Sequence, residues 1–443
     1  MINQNIKRMM ESFKKNKLLY TIIAYTFFAS IAHINELFQI ILIGFVVTAP
    51  IFMDDTDCVC MFVYSSCFMN CYTTLSYLWV LAISAFILEI KKIYISIKID
   101  KNFKDISLVI FVWLGLSIIL LIYSFIYNKF HIYRLSAYVD ILQCFLVFYL
   151  LKDSINLKKV VVTLAYAVIL STIIGILFHY ACVYSSFTQG LVGNRFGGFF
   201  RNINSLGMYC TITTTCLVAL LINKHLDRKY IFLSIGVTIV GLITYSKSFI
   251  LLNLLIYLSW TVYSFVKSKD KAMFVANSMF VLSFIIILVA IANNYLLDII
   301  NRFLHSTDKG LLDSFTTGRV NIWYEYIDQW LANPLTTLFG NGCAAPKVLT
   351  EVYSRYYYEH GLYVAFLYRF GIIGSIIVLA TMIWTVIKDR LPNKSFGNYL
   401  PLIVMMIYAI VENITGMLFT FIPLCLALMV LMYNPNKTIK ENN

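Results

Sequence analysis

Charge is scarce in this chain. Only 13% of its 443 residues are charged while 60% are hydrophobic, and the mean hydropathy is +0.78. A water-soluble domain cannot hide that much apolar surface, whereas a chain that crosses a bilayer many times requires it. Seven prolines and nineteen glycines are too few for flexible linkers or low-complexity tracts. No repeat of fixed period, heptad run or nucleotide-phosphate loop is present, which removes solenoids, coiled coils and P-loop enzymes. Ten cysteines are spread along the chain, and the one cluster among them is Cys58, Cys60, Cys67 and Cys71. Its spacing matches no zinc pattern and no histidine is near, so we read it as small apolar packing. Neither a metal nor a cofactor is expected.

What is there is a succession of apolar runs. Spans are predicted near Leu75–Ile90, Ile106–Ile126, Leu135–Leu151, Val160–Tyr180, Ser205–Ile222, Ile231–Tyr245, Ser248–Val266, Ala272–Leu296, Leu362–Ile387, Tyr399–Val411 and Gly416–Met432. Each approaches the roughly 20 residues needed to cross the hydrocarbon core. Residues 18–74 are ambiguous: Leu18–Ile34 and Leu37–Met53 read as a hairpin or one bent element, and Cys58–Thr74 as a further crossing.

The formal charge of +13 would suit nucleic acid, but its distribution points to membrane orientation instead. Basic clusters occur at Lys7 to Lys17, Lys91 to Lys104, Lys152 to Lys159, Lys224 to Lys229, Lys267 to Lys271 and Lys388 to Lys394. From Lys91 onward an even number of spans separates consecutive clusters, so all of them fit on the cytoplasmic side. That parity requires an even number of crossings before Lys91. The expectation is an all-α polytopic membrane protein, residues 1–443 forming one integral membrane domain with about twelve helices and both termini cytoplasmic. No cleavable signal peptide is expected.

On the opposite side falls a long polar segment, residues 298–359, carrying five basic and seven acidic residues. Four outward elements contain the chemistry. The first is a glycine- and asparagine-rich turn from Gly193 to Gly207 that carries Arg195 and Arg201 and opens a helix, an arrangement suited to an anion. The second is Ser246-Lys247-Ser248, where Lys247 is the one charge across Ile231–Val266. The third is Thr316 to Trp330, with Val320, Trp323, Ile327 and Trp330 on one face of an amphipathic helix. Arg319 sits in its first turn, where the helix dipole favours a bound anion and gives a cation nothing. Asn333-Pro334 ends that helix. The fourth is the run Tyr353 to Tyr363, in which Tyr356, His360 and Tyr363 share a helical face, followed by Gly371 and Gly374, which permit close helix packing.

Together these segments resemble the polysaccharide polymerases and O-antigen ligases of bacterial envelopes, multi-pass GT-C-like glycosyltransferases that use polyprenyl-diphosphate-linked glycans. The strongest likeness is a histidine, a small polar residue, nine further residues and Gly-x-x-Gly, matched by His360, Gly371 and Gly374 with Gly361 departing at the second place. Gly318-Arg319 with Trp323 resembles the family's Gly-Arg-x-x-x-Trp pattern in the large outer loop. The Arg195 to Asn204 turn resembles its Arg-x-x-Gly and Asn-x-Asn loop, with Ile203 where proline is usual. Ser246-Lys247-Ser248 falls where Ser-Arg-Gly is usual, and lysine keeps the charge without a bidentate grip on phosphate.

The resemblance implies an O-antigen, capsule or exopolysaccharide polymerase of the bacterial inner membrane, acting on undecaprenyl-diphosphate-linked oligosaccharide beside a flippase and a chain-length regulator. Membrane lipid is its other contact, and nucleic acid is none. A ligase with a different acceptor, or a flippase for the same lipid, is the alternative. Glycosyl transfer from a lipid diphosphate needs cations for the departing diphosphate and a base for the acceptor hydroxyl. Arg319 and His360 are the expected catalytic pair. Lys247, Arg195 and Arg201 would bind diphosphate, and Tyr356, Tyr357, Tyr363 and Trp323 would bind sugar. No acidic cluster is seen outside, so the transfer is expected to be metal-independent and, as one displacement, inverting.

Overall fold

The computed structural model describes residues 16–32, 34–72, 77–95, 149–180, 196–200, 203–269, 319–341, 361–387, 395–411 and 418–433, with a few isolated positions besides. These residues form helices and short connectors, with no β-sheet among them. The helices are α1 (Lys17–Ile31), α2 (Glu36–Phe52), α3 (Asp55–Ser66), α4 (Tyr77–Ile95), α5 (Leu157–Tyr180), α6 (Ile203–Ile222), α7 (Tyr230–Ile243) and α8 (Lys247–Lys267), then α9 (Arg319–Leu331), α10 (Pro334–Phe339), α11 (Leu362–Ile387), α12 (Phe396–Val411) and α13 (Leu418–Met432). Three stretches, Leu157–Phe178, Ile203–Ile222 and Lys247–Lys267, are long and apolar enough to cross a membrane, and shorter apolar helices accompany them. The expected spans at 106–126, 135–151 and 272–296 lie almost wholly outside the described residues.

Residues 18–74 resolve into three helices, α1 to α3, with a 3-10 turn at Met69–Cys71. Their ends alternate. The Lys17 ammonium reaches the Phe52 carbonyl, so the start of α1 lies by the end of α2. The Cys71 thiol points to the Ala29 carbonyl, so the turn after α3 lies by the end of α1. Lys91, near the end of α4, donates to the carbonyls of Pro50 (2.8 Å) and Met53 (3.1 Å), placing a cation on the C-terminus of α2. Asp54 caps α3 by accepting from the Asp57 N–H, and Asp55 and Asp57 in the first turn suit the positive end of its dipole. Lys92 pairs with Asp55 at 2.6 Å and Lys159 with Asp57 at 2.5 Å. One end of the bundle is therefore a lysine end. The four cysteines are buried, and three of their sulfurs bond to separate partners on the helices: Thr163, Val63 and Ala29.

At the centre stands α6, buried nearly throughout and packed on by α5, α7, α8, α12 and α13. Alongside it, α12 runs antiparallel and is fastened at both ends. Asn223 donates to Asn398 at the lysine end, and the Tyr408 hydroxyl donates to the Asn204 carbonyl at 3.2 Å at the other. Large apolar side chains cover the outside of the bundle, Phe232 at 77% and Leu254 at 66% exposed. Water-soluble monomers rarely present apolar surface on that scale.

One expected helix is not continuous. The span Leu362–Ile387 breaks at Gly371, whose φ of 64° and ψ of −171° lie in a region open to glycine alone. Gly371 does permit close packing, since the backbone of α10 at Leu338 lies against it, but it does so at a corner in the chain that the sequence reading did not expect.

Candidate functional site

At the end opposite the lysines, the described parts of the four sequence elements meet in two pairs, which are joined through α12. Phe196, next in the chain to Arg195, donates its N–H to the Ile243 carbonyl at the end of α7. The following residues pack onto α5 at Gly175 and onto Phe68 and Phe178 through Phe199, and the Asn70 N–H donates to the Phe199 carbonyl. Gly207, in the first turns of α6, lies against Thr244 and Ser246, where an added methyl would stand 3.1 Å from the Ser246 Cβ. The arginine turn and the lysine turn are thus neighbours. Lys247 is the first residue of α8 and is buried, 8% exposed, so it does not reach to solvent as a snorkelling lysine does.

The third and fourth elements meet through Gly361. A methyl on this residue would lie 3.4 Å from the Trp323 indole nitrogen and 2.9 Å from the Ile410 carbonyl oxygen. This explains glycine at the position after His360: tryptophan and backbone already occupy the space a side chain would take. Because α12 also carries Tyr408, bonded to Asn204, its end away from the lysines links the arginine turn to the Trp323 contact. Arg319 opens α9, one turn before Trp323. The expected helix is present from Arg319 onward, and its expected threonine cap lies outside the described residues.

A second seam joins the polar segment to α11. Tyr326 packs edge-on against Tyr368 with ring centroids 4.7 Å apart, and the Tyr368 hydroxyl donates to Gln329 at 3.1 Å. After α9, Asn333 does more than end the helix, because its side chain caps α10, accepting from the N–H groups of Leu335 and Thr336 with Pro334 in the first turn. The Trp330 indole donates to the Thr337 carbonyl at 3.0 Å and folds α10 back on α9. Helix α10 stops at Gly340, φ 85° and ψ 178°, and the chain there crosses the corner at Gly371. The Asn341 N–H donates to the Tyr368 carbonyl at 2.6 Å.

Of the expected site residues, Arg319, Lys247, Trp323 and Tyr363 are described. Arg195, Arg201, Tyr356, Tyr357 and His360 lie outside the described residues. Tyr363 commits its hydroxyl to the Met406 carbonyl at 3.1 Å while the residue stays 42% exposed. Arg369 was missed. It is buried at 7% exposure, two residues before the corner, with its carbonyl facing Gly340. The available signal was a charge inside an apolar span, which is costly without a reason. Among the described residues no group of three metal-ligating side chains occurs. No protein-family model matches this chain, and no curated protein or solved structure is significantly similar to it.

Proposed function

We propose that the protein is a membrane glycosyltransferase, a polysaccharide polymerase that joins polyprenyl-diphosphate-linked oligosaccharide repeat units on the outer face of a bacterial inner membrane. The lysine end lies in the cytoplasm and the motif end outside. The alternating directions of α1 to α4 fit the even parity required before Lys91, in a bundle of about twelve crossings with residues 298–359 as the outer loop. The observation that carries this reading is the contact of Trp323 with Gly361, since it brings the arginine-bearing helix of the loop to the residue that follows His360.

In the reaction, the acceptor hydroxyl oxygen bonds to the anomeric carbon while the bond from that carbon to the diphosphate oxygen breaks. The electron pair leaves with the diphosphate, and the hydroxyl proton passes to His360. Arg319 and Lys247, with Arg195 and Arg201 in the adjoining turn, hold the growing negative charge, as fixed donors in a site of low dielectric do best. Trp323 and Tyr363 offer aromatic faces to sugar rings, joined by Tyr356 and Tyr357. One displacement inverts the anomeric carbon.

The test uses purified protein and lipid-linked repeat units, with polymer length read on a gel. General-base help is worth about 10²–10⁴ in rate, so His360→Gln, which keeps a hydrogen bond but takes no proton near neutral pH, is expected to lose at least the lower figure. Arg319→Ala is expected to stop polymerisation while Lys247→Arg retains it. Polymer made by His360→Gln at the wild-type rate rejects the base. Polymer made by Arg319→Ala rejects the anion site. Transfer to a different acceptor with no polymer would identify a ligase.

A further inference from the structure

A cavity of about 670 Å³ opens at the lysine end between α1 and α5, floored by α3, on which both helices pack. It falls in the size range of small-molecule sites, about 300–1,000 Å³. Leu19 and Ile22 of α1 and Tyr166 and Leu170 of α5 form its walls, and all four are at least partly exposed. Tyr64 closes the floor with its hydroxyl satisfied by Thr26 at 2.5 Å. Along α5 the lining runs from Lys158 to Leu170, roughly 18 Å at 1.5 Å per residue. That is close to half of the ~30 Å hydrocarbon core, the depth of one leaflet.

The mouth is polar and carries a spare cation. Its two carboxylates are each taken, Asp57 by Lys159 at 2.5 Å and Asp227 by Lys229 at 3.4 Å. Lys158 also lines the mouth and makes no ion pair among the described residues. Asn156 stands beside it, its side-chain Oδ1 accepting from the Lys159 backbone N–H at 3.2 Å, which leaves the side-chain N–H₂ to donate.

We infer that this groove holds an anionic phospholipid of the cytoplasmic leaflet, its phosphate on Lys158 and Asn156 and one acyl chain along Leu19, Ile22, Tyr166 and Leu170. Basic pockets between helices on the cytoplasmic side suit such headgroups. A hydrocarbon wall one leaflet deep below a cation that has no ion pair among the described residues fits a lipid better than a soluble anion, which has no use for the wall. The inference rests on the bundle crossing a membrane and is independent of glycosyl transfer.

The experiment is native mass spectrometry of the full chain, exchanged into detergent with equal phosphatidylglycerol and phosphatidylcholine. Wild type is expected to retain phosphatidylglycerol about fivefold over phosphatidylcholine, the scale of one lysine at an anionic surface. Lys158→Glu is expected to remove that preference and Lys158→Arg to keep it. Leu170→Trp, at a position 39% exposed and so harmless to the core, is expected to lower retention of both lipids by obstructing the tail. Lys267→Glu, at the same end but outside the cavity, is expected to change nothing. Equal retention of the two lipids by wild type overturns the inference, and so does a preference unaltered in Lys158→Glu. If Lys158→Glu does not purify as a monodisperse protein, Lys158→Gln reads the same loss.

Discussion

Gly340→Ala tests the seam that seats the polar segment on α11. Two costs follow from the structure. The first is backbone strain, since φ 85° and ψ 178° belong to a region that L side chains avoid at about 1–3 kcal/mol. The second is overlap: the new methyl would stand 2.5 Å from the Gly371 nitrogen and from the Arg369 carbonyl carbon, both rigid main-chain atoms. Overpacking of this kind costs a further ~1–3 kcal/mol. About 2–6 kcal/mol in all is a large part of the 5–15 kcal/mol that holds a typical domain together.

The strain has a local outlet, however. Lifting α10 away from the corner sacrifices the Asn341 N–H to Tyr368 carbonyl bond and little of the main core, because Tyr326 and Tyr368 form a small cluster of their own. The expected outcome is therefore a folded protein with a loosened loop. Spin labels at Tyr324 and Ile376, both exposed, read the loop position by distance distribution, which should broaden in Gly340→Ala. Polymer synthesis should fall at least tenfold. Gly44→Ala is the control, as a methyl there meets nothing within 4 Å. A Gly340→Ala protein with a wild-type distance distribution and full activity would refute the crossing as a constraint.

Two further outcomes check the arrangement. Cysteines introduced at Tyr324 and Asp328 should react with an impermeant thiol reagent added outside cells, and one at Lys229 should not; the reverse pattern would invert the proposed orientation and remove the catalytic reading with it. Gly361→Asn, which puts a commoner residue of the resembled family after the histidine, is expected to lower activity by about tenfold or more, because its Cβ would meet the Ile410 carbonyl at 2.9 Å and press on Trp323; activity at or above wild type would show that the Trp323 contact is not needed.

Apolar run length and lysine position made most of the helical layout legible, because both are set by solvent rather than by tertiary detail. The amphipathic helix from Arg319 was also legible, since a 3.6-residue period needs no knowledge of partners. Residues 18–74 were less so. Helix α3 is 12 residues long and buried on all sides from Cys58 onward, so neither span length nor an apolar stripe marks it. Its aspartate cap was the usable signal. Helix α10 was missed because Asn333-Pro334 reads equally as a stop and as a cap followed by proline at the first helical position. The break at Gly371 was illegible for a different reason. Glycine in an apolar run has the same one-letter appearance whether it packs a helix or turns a corner, and only the chain crossing at Gly340 distinguishes the two.

That crossing bears on how a site can be assembled from segments so far apart in sequence. A transfer reaction loses about 10²-fold for a misplacement near 1 Å, so its groups must be held by rigid elements. Helix α12 is such an element. At the lysine end its first turn lies so close to α6 that a methyl on Gly397 would stand 2.6 Å from the Asn223 side-chain oxygen, and Ser395 bonds to the same residue. At the motif end Tyr408 holds Asn204 and the Ile410 carbonyl faces Gly361. A helix clamped at both ends cannot tilt at one end without opening the other. The distance between the arginine turn and the residue after His360 is thereby tied to contacts at the far end of the bundle. Polar substitutions around Asn223 and Asn398 should then weaken activity without touching the motifs, as positioning residues do.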